Sequence, residues 1–189
     1  MDDLLKQRPS KENSKWKIDS REIVHENPWY RYIHDKGKTD KNKEYDYYYI
    51  QINFSVGIIA MIDGKLILVR QYRYLTDRDS LEIPGGGSKT EDNPEEVAKR
   101  ELLEETGYEP GHLERIGEFD VANGYSSDIA YVYLAKNCKK VGSQKLDDTE
   151  KGMKVELFPI EEVYEMVQAG KITDSFALAS LMLAWPYLL

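Results

Sequence analysis

The sequence predicts an α+β fold with more strand than helix, on three observations. Strand-like runs outnumber helix-like ones and do not alternate regularly with them, which argues against a doubly wound sheet. One helix with clear start and stop signals, near 93–107, interrupts the strands. The stretch "MIDGKL" marks a hairpin, because Asp63-Gly64 suits a two-residue primed turn.

In chain order, residues 1–13 are polar and mixed in charge, which predicts a poorly ordered tail ahead of one domain at 14–189. Strands are expected in "WKIDSREIVHE", "WYRYIHDKG", "EYDYYYIQINFSVGIIAMI" and "KLILVRQYRY", all rich in β-branched and aromatic residues. The glycines 85–87 suit a sharp turn or a close approach of backbone to a ligand. At Asn93-Pro94 the period changes: Asn93 is an N-cap, Pro94 takes the first helical position, and Glu96 stands where a capping box needs it. This helix should end at Thr106, with Gly107 as the left-handed residue beyond it. Strands are expected again in "LERIGEFDVA", "DIAYVYLAKN" and "MKVELFPI", with the loop "KKVGSQKLDDTEKG" before the last. Two helices, about 160–169 and 174–185, finish the pattern.

Composition bounds the class of function. Of 189 residues, 34 are acidic and 26 basic, a net charge of −8 that disfavours nucleic acid and anionic membrane as partners. An anionic substrate must then be attracted locally, by arginines or a metal ion. A single cysteine, Cys138, leaves no internal disulfide and no cysteine-cluster zinc site. No apolar signal region stands in "MDDLLKQRPSKENSK", and "FALASLMLAWPYLL" falls short of the roughly 20 residues that span a bilayer. A cytoplasmic location and a buried C-terminal helix are the expectations.

The central helix carries acids where a structural helix would be apolar. At 100° per residue, Glu101 and Glu105 fall together between Val97 and Ala98, with Glu104 beside Val97 and Arg100 next to Glu104. Like charges on one helix face repel, and a divalent cation would reverse the sign of that term. Carboxylate oxygens suit Mg²⁺, with Mn²⁺ as the other candidate. The three histidines, His25, His34 and His112, share no metal-ligand spacing.

Gly86, Arg100, Glu101, Leu102, Glu104, Glu105, Gly107 and Tyr108 occupy the positions of G-x5-E-x7-R-E-U-x-E-E-x-G-U, the signature of the Nudix hydrolases, which the chain resembles. Eight of the nine fixed positions match, and Asp92 stands where the ninth is Glu. The resemblance implies a Nudix-type α/β/α sandwich with a mixed sheet, preceded here by extra N-terminal antiparallel strands. It also implies Mg²⁺-dependent hydrolysis of a nucleoside diphosphate linked to another group. Carried over, Glu101 and Glu105 are the main metal ligands, with Glu104 and the Gly85 carbonyl as further ones. Arg100 orients the acids through Glu104, and Glu91 is a substitute for the signature Glu.

"ENPWYRY", "VRQYRY", "LEIPGG" and "GKITDSFALASLMLA" resemble the ADP-ribose/ADP-sugar pyrophosphatase branch of the family. That likeness implies ADP-ribose or a related nucleoside diphosphate sugar as substrate, split to a nucleoside monophosphate and a sugar phosphate. It also implies a homodimer. Strand period separates Arg70 from Arg73, and the likeness favours Arg73 as the phosphate contact, with Glu82 near metal and substrate. Trp29 and Tyr30 are candidates for stacking on the base. Asp128 falls where the branch carries a substrate-binding Glu. The base that takes the water proton is one of Asp147, Asp148 and Glu150, with Glu150 aligning best. Two other readings stand beside this one: hydrolysis of GDP-mannose or another nucleotide sugar, and a ligand-sensing domain without catalysis.

Overall fold

A computed structural model describes residues 15–88 and 93–188. The expectations for residues 1–13, Glu91 and Asp92 fall outside the described residues. The described residues divide into two compact units, the smaller built from 15–54, 87–88 and 120–129, the larger from the other described residues.

In the smaller unit, β1 (Lys17–Glu26), β2 (Arg31–Lys38) and β3 (Glu44–Gln51) form an antiparallel meander. Tyrosines dominate β3, where Tyr49 is buried and Tyr47 and Tyr48 are exposed. The segment 120–127 is stitched to β3: Ile50 N donates to the Tyr125 carbonyl at 2.8 Å, and the Tyr47 hydroxyl to the Gly124 carbonyl at 2.6 Å. These are the extra N-terminal strands the sequence leads one to expect.

The larger unit holds a mixed seven-stranded sheet. Its main path runs β12 (Lys154–Pro159), β5 (Lys65–Arg73), β4 (Ser55–Ile62), β10 (Ile129–Lys136) and β9 (His112–Asp120). Beside that path, β6 (Arg78–Glu82) pairs with β5, and β7 (Gly85–Gly87) pairs with β4. The β4–β10 pair is parallel, while β5 is antiparallel to β4, β6 and β12. A separate two-stranded ladder joins β8 (Tyr108–Glu109) to β11 (Lys139–Lys140). The β4–β5 turn is the expected primed one, with φ of 49° at Asp63 and 73° at Gly64.

Strand period sorts the core into two faces. On one face Ile59, Leu66, Leu68, Val132 and Leu134 cluster with Val163 of α2 (Ile160–Gln168) and with Ala177, Leu181 and Ala184 of α3 (Ser175–Leu188). The alternate residues of β4 and β5, Val56, Ile58, Ile67 and Val69, are equally buried on the other face. There α1 (Pro94–Thr106) lies against both strands and contributes Val97, Ala98 and Leu102. Helices thus flank the sheet on both sides. The C-terminal helix buries only one face, for Met182 is 74% exposed. No helix among the described residues is long and apolar enough to cross a membrane.

Three expectations need correction. The run 44–62 is not one strand; it breaks at 52–54 into β3 and β4, which belong to different sheets. Glycines 85–87 form a strand rather than a turn, because their backbone pairs with β4. The capping box is half made: Asn93 Oδ1 accepts from Glu95 N at 2.9 Å, whereas Glu96 turns outward to Lys99 at 3.0 Å. The cap and the stop otherwise follow the pattern, with Gly107 at φ 74° donating to the Leu103 carbonyl.

Candidate active site

Helix α1 brings its acids to the sheet in graded fashion. Glu105 is 4% exposed, the Glu101 side chain 15%, and the Glu104 side chain 43%. Glu105 Oε2 accepts a hydrogen bond from Gly85 N at 2.9 Å, which ties the helix to β7. Glycine at the adjacent strand position leaves room for Glu101: a Cβ at Gly86 would stand 2.7 Å from its carboxylate oxygen and would push that carboxylate aside. Sequence spacing alone could not give that reason for the glycine; the helix and strand have to meet first.

Burial pushes the Glu105 carboxyl up to about 8, and the charges of Glu101 and Glu150 push the same way. The Gly85 N–H and Arg73 oppose them without prevailing. Glu101 is also raised, mainly by burial, with Arg100 opposing and Glu104 and Glu150 adding to the rise. A buried carboxyl that resists ionisation, among other carboxyls, is a place where a cation would be stabilising.

Arg100 lies beside both acids, 3.0 Å from Glu101 and 3.7 Å from Glu104. Among the described residues, no three His, Cys, Asp or Glu side chains are gathered as a ready-made cation cage. Each inner carboxylate instead takes its own protein donor, Arg100 for Glu101 and Gly85 N–H for Glu105. Oxygen donors, burial and mutual repulsion nevertheless fit a hard divalent ion, which is what these residues would relieve by sharing.

The arginines of β5 separate as strand period requires. Arg70 reaches Glu156 of β12, through Nε at 2.6 Å and Nη2 at 3.0 Å. Gln71 and Arg73 lie on the opposite face, the one α1 covers, and Glu82 sits there too because it pairs with Val69. Arg73 grips Glu82 with two hydrogen bonds of 2.8 and 2.5 Å, and Gln71 Nε2 adds a third at 3.2 Å. Nε and Nη2 are so engaged, and the Arg73 side chain is 52% exposed, with the charges of Asp174 and Glu105 also acting on it. Gln71 is a residue that sequence reasoning passed over; its place between two arginines in the quoted motif was the available signal.

The acidic loop sorts its three carboxylates. Asp148 is 91% exposed and paired with Lys151, and Asp147 is exposed as well. Glu150 is half-buried, its Oε2 accepts from Asp147 N at 3.1 Å, and its charge acts on both Glu101 and Glu105.

The remaining candidates belong to the smaller unit. Trp29 and Tyr30 are not in a strand; they form the turn between β1 and β2, where Asn27 Oδ1 accepts from both backbone N–H groups. Trp29 is 63% exposed, so it is not a core aromatic. It edges a hollow of about 220 Å³ shared with Arg31, Gln51 and Asn53. Asp128 is buried, and its backbone N–H is held by Ser126 Oγ at 3.1 Å. His34 is structural, bonded to Asp46 at 2.7 Å and stacked on Tyr48.

Known proteins resemble this chain in sequence and in fold. Residues 52–176 match the family model described as the NUDIX domain. Similar relatives include the ADP-ribose pyrophosphatase of Bacillus subtilis (strain 168), 31% identical over 122 residues, covering 64% of this chain and 66% of its own. The methanol dehydrogenase activator of Bacillus methanolicus is 33% identical over 123 residues, covering 64% and 66%. The match thus spans about two thirds of the length of these curated relatives. A solved structure, "Crystal structure of ADP compounds hydrolase", aligns with a TM-score of 0.81 over 93% of this chain and 95% of that one. At 19% identity that likeness is one of fold.

Proposed function

The chain belongs to the NUDIX family, and from that premise we propose that it hydrolyses the diphosphate of ADP-ribose or a related nucleoside diphosphate sugar. The products are a nucleoside monophosphate and a sugar phosphate. One observation carries the proposal: Glu105 is almost wholly buried beside Glu101, with a carboxyl near 8, and its carboxylate takes a hydrogen bond from the Gly85 backbone N–H. A relative named for ADP-ribose supports the substrate class.

Glu101, Glu105, the Gly85 carbonyl and, at the rim, Glu104 would hold Mg²⁺, which when bound would offset charge building on the diphosphate and lower the pKa of water. The protein supplies the rest. Arg73 donates to a phosphate oxygen, and Glu82 keeps its fork from turning away. Arg100 holds the Glu101 carboxylate in place. Glu150 takes the proton of the attacking water at a carboxylate oxygen, and its half-buried place beside Glu101 and Glu105 favours it over Asp147 and Asp148. Trp29 and Tyr30 stack on the base, and Asp128 binds the substrate where the branch has Glu.

Residues 14–189 act in this proposal as one cytoplasmic hydrolase domain that pairs as a homodimer. Exposed Val24 and Tyr48 on the smaller unit are consistent with pairing. A light-scattering mass of one chain would remove the dimer. The substrate is tested with a panel of ADP-ribose, GDP-mannose and other nucleotide sugars at fixed Mg²⁺, ranked by kcat/KM. ADP-ribose should lead; a lead for GDP-mannose moves the substrate, and binding without any phosphate product returns the non-catalytic reading.

A further inference from the structure

An α-helix leaves its last carbonyls without helical partners, and something else has to satisfy them. In α1 the loop that follows β11 does so. Lys145 N donates to the Glu104 carbonyl at 2.7 Å, and Gln144 Nε2 donates to the Glu105 carbonyl at 2.6 Å. One step beyond the helix, Val141 N and Gly142 N both reach the Gly107 carbonyl, at 2.9 and 3.2 Å. Gly107 has two reasons to lack a side chain. Its φ is 74°, and a Cβ there would stand 2.3 Å from the Gly142 carbonyl oxygen.

Gln144 differs from the other contacts because it is a side chain and because it reaches two places. The same Nε2 also donates to the Met153 carbonyl, at 3.3 Å, just before β12 begins. It therefore joins the start of the loop, its end and the helix at one atom. Between those anchors lies a tight turn in which Glu150 N donates to the Asp147 carbonyl at 3.0 Å and Met153 N to the Glu150 carbonyl at 2.9 Å. Glu150 thus sits three residues from one of the two carbonyls that Gln144 holds. The other carbonyl belongs to Glu105, whose carboxylate is the most buried acid of the site.

We infer that Gln144 is a positioning residue: it locks the loop of Glu150 to the end of α1 and so fixes where Glu150 stands relative to Glu101 and Glu105. The inference rests on the reading of Glu150 as the group that takes the water proton. Its chemistry asks only for a donor at this position, since both partners are carbonyl oxygens. Leucine copies the volume of glutamine without donors, and lysine keeps them.

The test uses the full chain as Q144L, Q144K and E150Q, with ADP-ribose and saturating Mg²⁺. Two quantities are read: kcat and KM, and amide hydrogen exchange at Lys145 and Glu150 without substrate. Q144L should lower kcat about 10-fold, the scale of a displaced supporting group, with KM within about twofold, and should speed exchange at both amides. Q144K should restore most of both. Unchanged kcat in Q144L, together with a large loss in E150Q, overturns the inference and leaves the Glu150 reading standing. No loss in E150Q removes that reading, and the inference with it. Equal losses in kcat, melting temperature and exchange across the whole sheet, unrelieved in Q144K, also overturn it, because general destabilisation then explains them.

Discussion

Glu82 and Glu105 are almost equally buried, 6% and 4% exposed, and the larger unit treats them in opposite ways. Glu82 receives two hydrogen bonds from Arg73 and one from Gln71, so its negative charge is matched where it stands. Glu105 receives one backbone N–H, from Gly85, and faces the charges of Glu101 and Glu150. Removing a charge from water costs several kcal/mol unless partners offset it. A matched acid is consistent with a part that holds another part in place, here the Arg73 fork. Under the proposed function an unmatched one serves a later partner, and repulsion among carboxylates suits a cation in that place.

The comparison breaks most decisively at Glu105. Glu105→Gln keeps an acceptor for Gly85 N–H but removes the charge. Turnover of ADP-ribose should fall roughly 100-fold or more, since several kcal/mol of transition-state stabilisation go with the ion. A steady-state assay that finds wild-type turnover would end the assignment of Glu105 as a ligand. At Arg73 the expected effect is smaller. Arg73→Lys retains the charge and loses the fork, so KM should rise about 10-fold with a lesser change in kcat. A lone fall in kcat would instead place Arg73 outside ground-state phosphate binding.

Acidity tests Glu105 without any substrate. The Glu105 carboxyl lies near 8 in the folded chain against an ordinary 4.5, so the folded state holds that proton through the interval. Stability of the cation-free protein is then full below about 4.5 and declines as pH rises toward 8. Melting curves from pH 5 to 8.5 should slope downward for the wild type and flatten in Glu105→Gln. Added Mg²⁺ should recover the loss at high pH. Parallel slopes in the two proteins would show that Glu105 is not the group being charged.

The smallest effect sharpens the other arm. Arg70 is bound to Glu156 on the face of β5 that faces away from α1, and both side chains are about one third exposed. Arg70→Ala should cost about 1 kcal/mol or less in urea unfolding and leave kcat/KM within about twofold. A large kinetic loss would mean that the two faces of β5 are not functionally separate.

Much of this was legible along the chain because local rules were enough. The Asn93-Pro94 start and Gly107 stop depend on neighbours in sequence, and the helix obeys them. Asp63-Gly64 makes its turn for the same reason. The spacing of Glu101 and Glu105 follows from helical period, and the separation of Arg70 from Arg73 from strand period. Local rules failed where a distant segment supplied the partner. Glycines 85–87 read as a turn until β4 offers them a ladder. Gln144 lay in a polar loop with no periodic or motif signal at all.

By itself, then, the sequence determined the elements, the family signature and which side chains could carry charge, since those depend on residues a few positions apart. Only the tertiary structure decided which charges are matched and which are left exposed to one another. It set the Glu101 carboxylate against the glycine strand and Glu150 within electrostatic reach of α1. The reason is physical: burial and electrostatic coupling depend on distance in space, and that is fixed only when helix, strand and loop have packed together.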